Sequence, residues 1–335
     1  MPRAPMPGRA LTVRALVLAA AALALPAPGA GAYPNPGVVA GDTTVHDPSL
    51  VIRGATPRYV LASTHNQTRL SADRITFVGT GGWFPIGVPE WTKPYGNGDT
   101  WAPDVSFHDG KYWLYYAAST VGSQHSAIGL ATSTTAEPGS WTDRGKVIDT
   151  DWNDGVNYNA IDPNLLVDAS GRWWLTFGSY WDGIYQVELD PATGKVKAGA
   201  TPANVARRPG SNTAIEGPSM FRHGGWYYLF ASFDSCCPAL VNPSPPTYHI
   251  MVGRSTSPNG PFLDRNGTDM RSGGGTLVLG THDWVVGPGG QSVVHDPSDD
   301  HDLLVYHYYD SRANYTAFLG INYLGFDGDG WPYVW

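Results

Sequence analysis

Hydrophobic and polar positions follow the same order in five segments of the chain. Each segment begins with a short apolar run, continues through a polar turn, and ends in an alternating run rich in Trp, Tyr, Leu and Val. Such alternation is typical of β-strands, and two strands joined by a tight turn form a β-hairpin. The pattern therefore predicts five β-hairpins, at residues 45–64, 101–120, 159–185, 214–233 and 287–310.

The hairpins recur at a regular interval. Pro48, Pro103, Pro163 and Pro218 lie near the start of the first four and are 55, 60 and 55 residues apart. Repeats of this length that consist of strands are typical of propeller blades. The chain has no long helix-periodic segment and no Pro/Ser-rich linker. We expect an all-β protein whose residues 33–335 form one five-bladed β-propeller.

The first 32 residues differ from the rest of the chain. Arg3, Arg9 and Arg14 lead into an apolar stretch, Ala15 to Leu25, and small residues follow up to Ala32. This order is that of a secretory signal peptide, and its apolar part is too short to span a bilayer. We predict that this segment is removed and that the protein is secreted.

The net charge narrows the choice of partners. The formal charge is −8 for the whole chain and becomes −11 when Arg3, Arg9 and Arg14 are removed with the signal peptide. A negative protein is repelled by nucleic acids and by anionic membranes. We therefore expect neither as a partner and favour a neutral ligand. We also expect the protein to be a monomer.

Three acidic residues occupy similar places in the hairpins. Asp47, Asp162 and Glu216 each lie six residues before the turn of their hairpin, whereas the same count reaches Ala102 and Gly289 in the other two. The first strand of each blade lines the central axis, so we expect the three carboxyl groups to converge there. One Asp-Pro step is a common strand start, but three acids at one register favour catalysis. Paired carboxyl groups are the apparatus of glycoside hydrolysis.

Two further acids are expected to have other roles. The tripeptide His-Asp-Pro occurs before a strand at 46–48 and after a strand at 295–297. We expect Asp296, in the second copy, to be exposed and inert. Asp104 lies two residues beyond the acid register of its hairpin, and we expect it to form structural hydrogen bonds.

Four motifs in a fixed order carry a family resemblance. They are VHDPSLV, WAPDV, NAIDPNL followed by FGSYWDGI, and AIEGPSMF, and they extend over essentially the whole mature chain. In these motifs the chain resembles the endo-α-1,5-L-arabinanases of glycoside hydrolase family 43. The resemblance implies a five-bladed propeller that hydrolyses internal bonds of linear arabinan, a plant cell-wall polysaccharide, with inversion. It implies Asp47 as general base, Glu216 as general acid, and Asp162 as the carboxylate that orients the acid and raises its pKa.

Substrate contacts are expected around the three acids. The resemblance implies that Asn159, Ser179 and Tyr180 contact sugar near the cleavage point. Trp101 is a candidate for stacking, because the C–H faces of sugar rings pack on aromatic side chains. His46, beside the predicted base, is expected either to contact the substrate or to support the base.

Gly290 departs from the family pattern. Many relatives have a histidine after Gly-Pro-Gly that is associated with a metal ion in the central channel, and this chain has Gly290 there. His307 is an alternative ligand, but its place within a strand favours core or channel lining. We therefore predict no metal and no other cofactor.

Cys236 and Cys237 are the only cysteines and are adjacent in the sequence. Two cysteines in an exported protein commonly form one disulfide. We expect a Cys236–Cys237 bond, with two free thiols as the alternative.

Other functions remain open at this point. Exo-acting α-L-arabinofuranosidases and β-xylosidases of the same family share the three acids and differ in the loops around the site. Fructan-cleaving five-bladed enzymes carry Arg-Asp-Pro and Glu-Cys steps, which this chain lacks. A non-catalytic sugar-binding propeller has no need of three facing carboxyl groups.

Overall fold

Strands joined by tight turns make up most of the chain, in agreement with the alternation of the sequence. The computed structural model describes residues 1, 33–56, 58–237 and 244–335. Apart from Met1, the predicted signal peptide lies outside these residues, so its removal stays a prediction. In the part that is described, no helix has the length and apolar character needed to cross a membrane.

The described strands form five sheets, each of which is one blade. Blade 1 consists of β1 (Ala40–Gly41), β2 (Ser49–Ile52), β3 (Tyr59–Ser63), β4 (Gln67–Ser71) and β5 (Thr76–Gly81). Blade 2 consists of β6 (Trp101–His108), β7 (Lys111–Ala118), β8 (Ser126–Ser133) and β9 (Thr142–Thr150). A 3₁₀ turn (Glu90–Thr92) and the short helix α1 (Lys93–Gly96) connect the two blades.

The remaining blades repeat this arrangement. Blade 3 consists of β10 (Asn164–Val167), β11 (Trp173–Phe177), β12 (Ile184–Asp190), β13 (Lys195–Val196) and β14 (Ala203–Ala206). Blade 4 consists of β15 (Ile215–His223), β16 (Trp226–Phe233), β17 (His249–Ser255) and β18 (Thr276–Leu279). Blade 5 consists of β19 (Val285–Asp296), β20 (His301–Asp310), β21 (Thr316–Phe326) and β22 (Pro332–Val334). Single 3₁₀ turns lie at Met270–Ser272 and Ser311–Ala313.

The predicted five-bladed, all-β propeller is confirmed. Each predicted hairpin corresponds to the innermost strand of one blade and the antiparallel strand beside it. Within a blade, the first strand of the hairpin lies at one edge of the sheet and the later strands follow in chain order. Two strands depart from this order: β1 pairs with the outer strand β5, and β14 pairs with β12. The inner edge strands β2, β6, β10, β15 and β19 surround the axis.

The hydrophobic core is divided among the contacts between neighbouring blades. Successive side chains of a strand point to opposite faces of its sheet, so each second strand packs on both neighbours. In β3, Val60 packs with Leu114 of blade 2, whereas Leu61 packs with Leu303 and Val305 of blade 5. Successive apolar residues of one strand thus pack against different neighbouring blades, and these contacts hold the ring of blades together.

The segment before β2 connects the first and last blades. Its residues Gly37 and Thr43 form backbone hydrogen bonds with Ile321 and Leu319 of β21, at 2.9 and 2.8 Å. Strand β1, within the same segment, pairs in parallel with the outer strand β5 of blade 1. The segment therefore closes the ring directly before the first of the predicted catalytic acids.

Candidate active site

One residue at the inner end of each blade has a left-handed backbone. Its φ angle is +48° at Asp47, +40° at Ala102, +56° at Asp162, +59° at Gly217 and +56° at Gly290. Side chains with a Cβ rarely adopt this conformation, so its repetition marks a bend that the fold imposes. These five residues line one cavity on the axis, together with the residues that follow them. We call them the axial ring.

Glu216 lies one residue outside the axial ring. Six residues after Glu216 is Arg222, but the last paired residue before the hairpin turn of blade 4 is His223, which pairs with Trp226. Six residues before His223 is Gly217, so the expected equivalence of Glu216 with the two aspartates is wrong. Because neighbouring residues direct their side chains differently, the carboxyl group of Glu216 leaves the backbone in another direction from a ring side chain.

The same shift applies to blade 5. The hairpin there ends at Asp296, which pairs with His301, so the count reaches Gly290 instead of Gly289. Counted from the last residue whose backbone bonds across the hairpin, the six-residue interval holds in all five blades. The error lay in where the count began, because the hairpin turns differ in length and their polarity does not mark the last paired residue.

Asp47 is held by groups from three blades. Its Oδ2 accepts hydrogen bonds from His46 Nδ1 at 2.8 Å and from Thr64 Oγ1 at 2.7 Å. Its backbone N–H donates to His307 Nδ1 at 3.1 Å, and this nitrogen lies 3.6 Å from Asp47 Oδ1. The backbone N–H of Ala102 fixes Thr64 by donating to its Oγ1 at 2.9 Å. The orientation of the carboxylate is therefore set by blades 1, 2 and 5.

The surroundings of Asp47 favour its ionised form. Burial by itself would raise the pKa of the Asp47 carboxyl, but the charge and the hydrogen bond of His46 hold it well below its usual range. His307 and Thr64 lower this pKa further. Burial, with the charge of His46, lowers the pKa of His307 well below its usual value. Asp47 is accordingly a carboxylate, and His307 is a neutral imidazole that accepts at Nδ1.

His46 supports Asp47 with one nitrogen and contacts Tyr309 with the other. Its Nε2 lies 2.8 Å from the Tyr309 hydroxyl, and its ring stacks on His307 with the ring centroids 3.8 Å apart. Burial lowers the pKa of His46, but attraction to Asp47 outweighs burial and the pKa is raised. Of the two interpretations from sequence, this geometry favours support of the base. A contact with substrate stays a prediction.

Glu216 is buried and accepts hydrogen bonds from two hydroxyl groups. Ser179 Oγ donates to Oε2 at 2.5 Å, and the Tyr248 hydroxyl donates to Oε1. Burial raises the pKa of Glu216, and the negative charge of Asp47 raises it further, whereas the two hydroxyl groups act in the opposite direction. The result is a carboxyl group that keeps its proton more readily than an exposed glutamate.

Asp162 is connected to the backbone that carries Glu216. Its Oδ2 accepts a hydrogen bond at 3.0 Å from the N–H of Gly217, the residue directly after Glu216. Burial raises the pKa of Asp162 well above its usual range, and the charges of Glu216 and Asp47 add to this. The three acids therefore lie close enough to affect one another, with one held ionised and two favoured in the protonated form.

Ser179 and Asn159, two of the residues expected to contact sugar, are almost fully covered. Ser179 is 3% exposed, and its hydroxyl group is used by Glu216. Asn159 is 2% exposed, and its Nδ2 donates to the backbone oxygen of Ser123 at 3.2 Å. In this structure both residues support the wall of the site, and their direct contact with sugar stays a prediction.

Partly exposed aromatic side chains lie next to this wall. Tyr180 and Trp181 follow Ser179 and have left-handed φ angles of +53° and +41°. The ring of Trp181 lies 6.2 Å from that of the exposed Trp152, and Trp101 begins the inner strand of blade 2. Rings of this kind offer apolar faces to sugars, so the expectations for Tyr180 and Trp101 remain open predictions.

The predicted structural role of Asp104 is confirmed. Its carboxylate accepts hydrogen bonds from Asn164 Nδ2 at 2.9 Å and from the N–H of Leu165 at 2.8 Å. Asn164 Oδ1 accepts in turn from the N–H of Met220 at 2.7 Å. The chain of bonds joins the inner strands of blades 2, 3 and 4. Burial raises the pKa of Asp104 to about 6, although the hydrogen bonds oppose this.

The prediction that Asp296 is exposed is wrong. Its side chain is fully buried and accepts hydrogen bonds from Arg74 at 2.5 Å and from the Tyr59 hydroxyl at 2.8 Å. Tyr59 lies in blade 1, and Asp296 ends the inner strand of blade 5. The turn is polar in sequence because one of its residues forms an ion pair with another blade. A polar turn with a buried ion pair and a polar turn in solvent look alike in the sequence.

The residues around Gly290 do not fit a metal ion held through this position. A Cβ added to Gly290 would lie 2.6 Å from Cε1 and 2.7 Å from Nδ1 of His307, so the imidazole already fills that space. Nδ1 of His307 accepts from Asp47, and Nδ1 of His46 bonds to Asp47 Oδ2. Both Nδ1 atoms are thus engaged with Asp47, although His46, Asp47 and His307 offer ligand atoms that lie within 4.8 Å of one another.

Several supporting residues were not found from the sequence. Thr64, Tyr248, His307 and Tyr309 contact the acids or their partners, yet none lies in the quoted motifs around the acids. A weak signal exists for two of them, because His307 and Tyr309 are polar-tipped residues on the face of β20 that also carries the apolar Leu303 and Val305. Such residues tend to have a buried partner.

The predicted bond between Cys236 and Cys237 is present. It lies in the loop after β16, the strand that pairs with the strand carrying Glu216. Cys237 Sγ is 3.6 Å from Nε2 of His46, so the disulfide borders the group that supports Asp47.

Known proteins resemble this chain over nearly all of its propeller. The profile of the glycosyl hydrolases family 43 matches residues 33–332. The arabinan endo-1,5-alpha-L-arabinosidase A of Aspergillus niger is 44% identical over 312 residues, which are 90% of this chain and 94% of that protein.

Solved structures agree with the sequence match. A Cellvibrio cellulosa alpha-L-arabinanase in complex with arabinohexaose is 35% identical, with a TM-score of 0.80 over 87% of this chain and 95% of that one. An exo-1,5-alpha-L-arabinanase from a bovine ruminal metagenomic library is 37% identical, with a TM-score of 0.80 over 88% and 98%. Given this match in sequence and fold, the chain belongs to glycosyl hydrolase family 43.

Proposed function

We propose that the protein is a glycoside hydrolase that cleaves internal α-1,5-L-arabinofuranosyl bonds of linear arabinan with inversion. One observation carries the proposal: Asp47 and Glu216 lie close enough to affect each other, and each is held by its own hydrogen bonds in surroundings that lower the pKa of Asp47 and raise that of Glu216. Glycoside hydrolysis requires this pair, an ionised base and a protonated acid. The substrate follows from the relatives, whose names specify arabinan.

Asp47 is the general base in this mechanism. Its Oδ2 is occupied by His46 and Thr64, whereas Oδ1 accepts no hydrogen bond from the described residues. Oδ1 therefore takes a proton from the attacking water, and His46 stabilises the carboxylate until then. A side chain that is fixed through its other oxygen loses little freedom when the water binds.

Glu216 is the general acid. Its raised pKa keeps a proton available for the leaving glycosidic oxygen, and the hydroxyl groups of Ser179 and Tyr248 fix its rotamer. After transfer, the same two hydroxyl groups donate to the carboxylate that forms. They thus stabilise the product form of the acid without a change of position.

Asp162 positions the acid. It holds the N–H of Gly217 and so fixes the backbone at Glu216. Its raised pKa limits the negative charge that collects in the cavity beside Asp47. We expect its loss to reduce the rate through misplacement of Glu216.

Exo action is the second candidate. It is favoured by one observation, the likeness to the exo-1,5-alpha-L-arabinanase from the ruminal library. The two modes share the chemistry and differ in whether the site accepts chain on both sides of the cleaved bond. We favour endo action because curated relatives that are 43–44% identical to this chain are named as endo enzymes.

Hydrolysis of linear arabinan tests the function directly. The purified protein is incubated with debranched arabinan, and early products are sized by chromatography. Endo action gives a mixture of oligomers with a rapid fall in polymer length, whereas exo action releases one small product from a polymer that shortens slowly. Absence of new reducing ends, with the folded protein shown by circular dichroism, contradicts both modes.

We further propose that the protein is exported after removal of residues 1–32 and acts as a monomer. The N-terminal pattern of arginines, apolar run and small residues supports export. N-terminal sequencing of protein from the culture medium should begin at Tyr33. Light scattering should give the mass of one chain, and a larger mass contradicts the monomer.

A further inference from the structure

The Cys236–Cys237 disulfide is at one end of a line of hydrogen bonds that leads to Asp47. The backbone N–H of Cys237 donates to the Tyr309 hydroxyl oxygen at 3.0 Å. The Tyr309 hydroxyl lies 2.8 Å from His46 Nε2, and His46 Nδ1 lies 2.8 Å from Asp47 Oδ2. We call Cys237, Tyr309, His46 and Asp47 the relay.

The direction of the relay follows from its first bond. A backbone N–H can only donate, so the Tyr309 oxygen accepts there and its proton is free to donate to His46 Nε2. Neutral His46 then carries its proton on Nδ1 and donates to Asp47. When His46 is protonated, Nε2 donates to Tyr309, and the Tyr309 proton has Cys237 Sγ as an acceptor at 3.6 Å. The disulfide thus offers a partner in both charge states of His46.

We propose that the Cys236–Cys237 disulfide is a positioning element for catalysis, which orients the base Asp47 through Tyr309 and His46. This inference rests on the proposed function. The ring that the disulfide closes fixes the backbone around Cys237, which has a left-handed φ of +54°. Because the N–H of Cys237 is fixed, the Tyr309 hydroxyl oxygen accepts from it in one orientation. The Tyr309 proton then points at His46 Nε2, which selects the His46 tautomer that carries its proton on Nδ1.

Reduction opens this ring. A dithiol reductant transfers two electrons and two protons, so that the S–S bond breaks, two thiols form, and the reductant becomes a cyclic disulfide. Cys237 is then free to turn its N–H away from Tyr309. His46 loses its fixed partner, and its stabilisation of the Asp47 carboxylate weakens. The pKa of Asp47 should therefore rise.

The pH profile of kcat/KM reports this change. The acid limb of the profile reflects protonation of the free enzyme's base. Opening of the disulfide should move this limb to higher pH by about one unit, which is about tenfold in kcat/KM on the acid side. The other titratable groups that face Asp47 lie outside the relay, so reduction removes none of their contacts with it: His307, Asp162, Glu216 and Tyr248.

The experiment compares four proteins on debranched arabinan, each with and without a dithiol reductant. They are the wild type, Cys236→Ala/Cys237→Ala, Tyr309→Phe, and Tyr306→Phe as a matched control. Tyr306 lies in the same strand and donates to Asn322 Oδ1 at 2.7 Å, outside the relay. The acid limb of the wild type should move to higher pH on reduction and return on reoxidation. The acid limb of the double cysteine variant should lie at the higher pH without reductant, and the reductant should not move it.

Non-additivity separates positioning from a general structural effect. Tyr309→Phe removes the middle of the relay, so its acid limb should be shifted and reduction should add nothing. Tyr306→Phe should keep the wild-type limb and its response to the reductant. A wild type that is active but whose acid limb is unmoved by reduction overturns the proposal. Absence of activity in the oxidised wild type contradicts the proposed function instead.

Discussion

His307 stacks on His46, with ring centroids 3.8 Å apart, and both imidazoles reach Asp47 from different blades. Their roles differ because their protonation differs. Burial keeps His307 neutral, so it accepts the backbone N–H of Asp47, whereas His46 gains a raised pKa and donates to the carboxylate. A carboxylate fixed at backbone and side chain is well placed to activate water.

Replacement of the two working carboxyl groups should abolish most activity. Asp47→Asn removes the base and Glu216→Gln removes the acid, and each should lower kcat by about 10²–10⁴-fold. Circular dichroism and thermal unfolding should show a folded protein in both cases. The control is Asp300→Asn, an acid with a 96% exposed side chain, which should retain full activity. Equal losses in all three variants would contradict the assigned roles.

The stereochemistry of the first product follows from the role of Asp47. A base that activates water inverts the anomeric centre, so an α-arabinofuranosyl bond should give the β-anomer first. Proton NMR of the reducing end, recorded before mutarotation, distinguishes the two forms. An initial α-anomer would show that Asp47 acts as a nucleophile.

Gly290→Ala should damage catalysis without unfolding the protein. The added methyl group would meet Asp47 Oδ1 and the His307 ring, so the base must move. Displacement of a reacting group by about 1 Å costs about 10²-fold in rate. Gly224→Ala is the matched control, because Gly224 has φ +54° against +56° for Gly290 and open space around its Cβ position. Both variants share the left-handed strain of about 1–2 kcal/mol, but only the first should lose activity.

Asp104 should make stability depend on pH. Its pKa is raised from 3.8 to about 6 in the folded protein, so the folded state binds a proton more tightly than the unfolded state does. Its favourable contribution is complete below pH 4 and is lost as the pH rises through 6. The free energy of unfolding of the wild type relative to Asp104→Asn should fall by roughly 2 kcal/mol from pH 4 to 7. Urea titrations at several pH values measure this, and a constant difference contradicts it.

Asp296→Asn should reduce stability and leave the rate of catalysis unchanged. The substitution removes the charge that Arg74 and Tyr59 contact, which is expected to cost about 2–3 kcal/mol. Urea unfolding gives the free energy, and kcat on debranched arabinan gives the rate at a temperature where the variant is folded. Unchanged stability would mean that Arg74 is satisfied by its second partner, Asp299.

The fold was predictable because it depends on local alternation, which each hairpin carries by itself. The identities of Asp47, Asp162 and Glu216 as neighbours also followed from the repeat, but the exact place of Glu216 did not. Inner strands end in turns of different length, so a position counted from a turn can be wrong by one residue. One residue changes the direction of a side chain.

Contacts between distant segments could not be predicted in this way. His307 reads as an ordinary strand residue, and only closure of the ring brings it to Asp47. Asp296 is the opposite case. Its polar neighbours Ser298 and Asp299 suggest an exposed turn, but its side chain forms a buried ion pair with Arg74. In both cases the deciding partner lies more than 200 residues away.

The bond between Asp47 and His307 joins residues 260 positions apart. A ribosome therefore produces Asp47 long before it produces His307, which contacts Asp47, and Tyr309, which contacts His46. A chain that lacks blade 5 has the carboxyl group and its neighbour His46, but it lacks His307, which accepts the backbone N–H of Asp47 and lowers its pKa further. The base therefore reaches its final position and charge only when blade 5 closes the ring against blade 1.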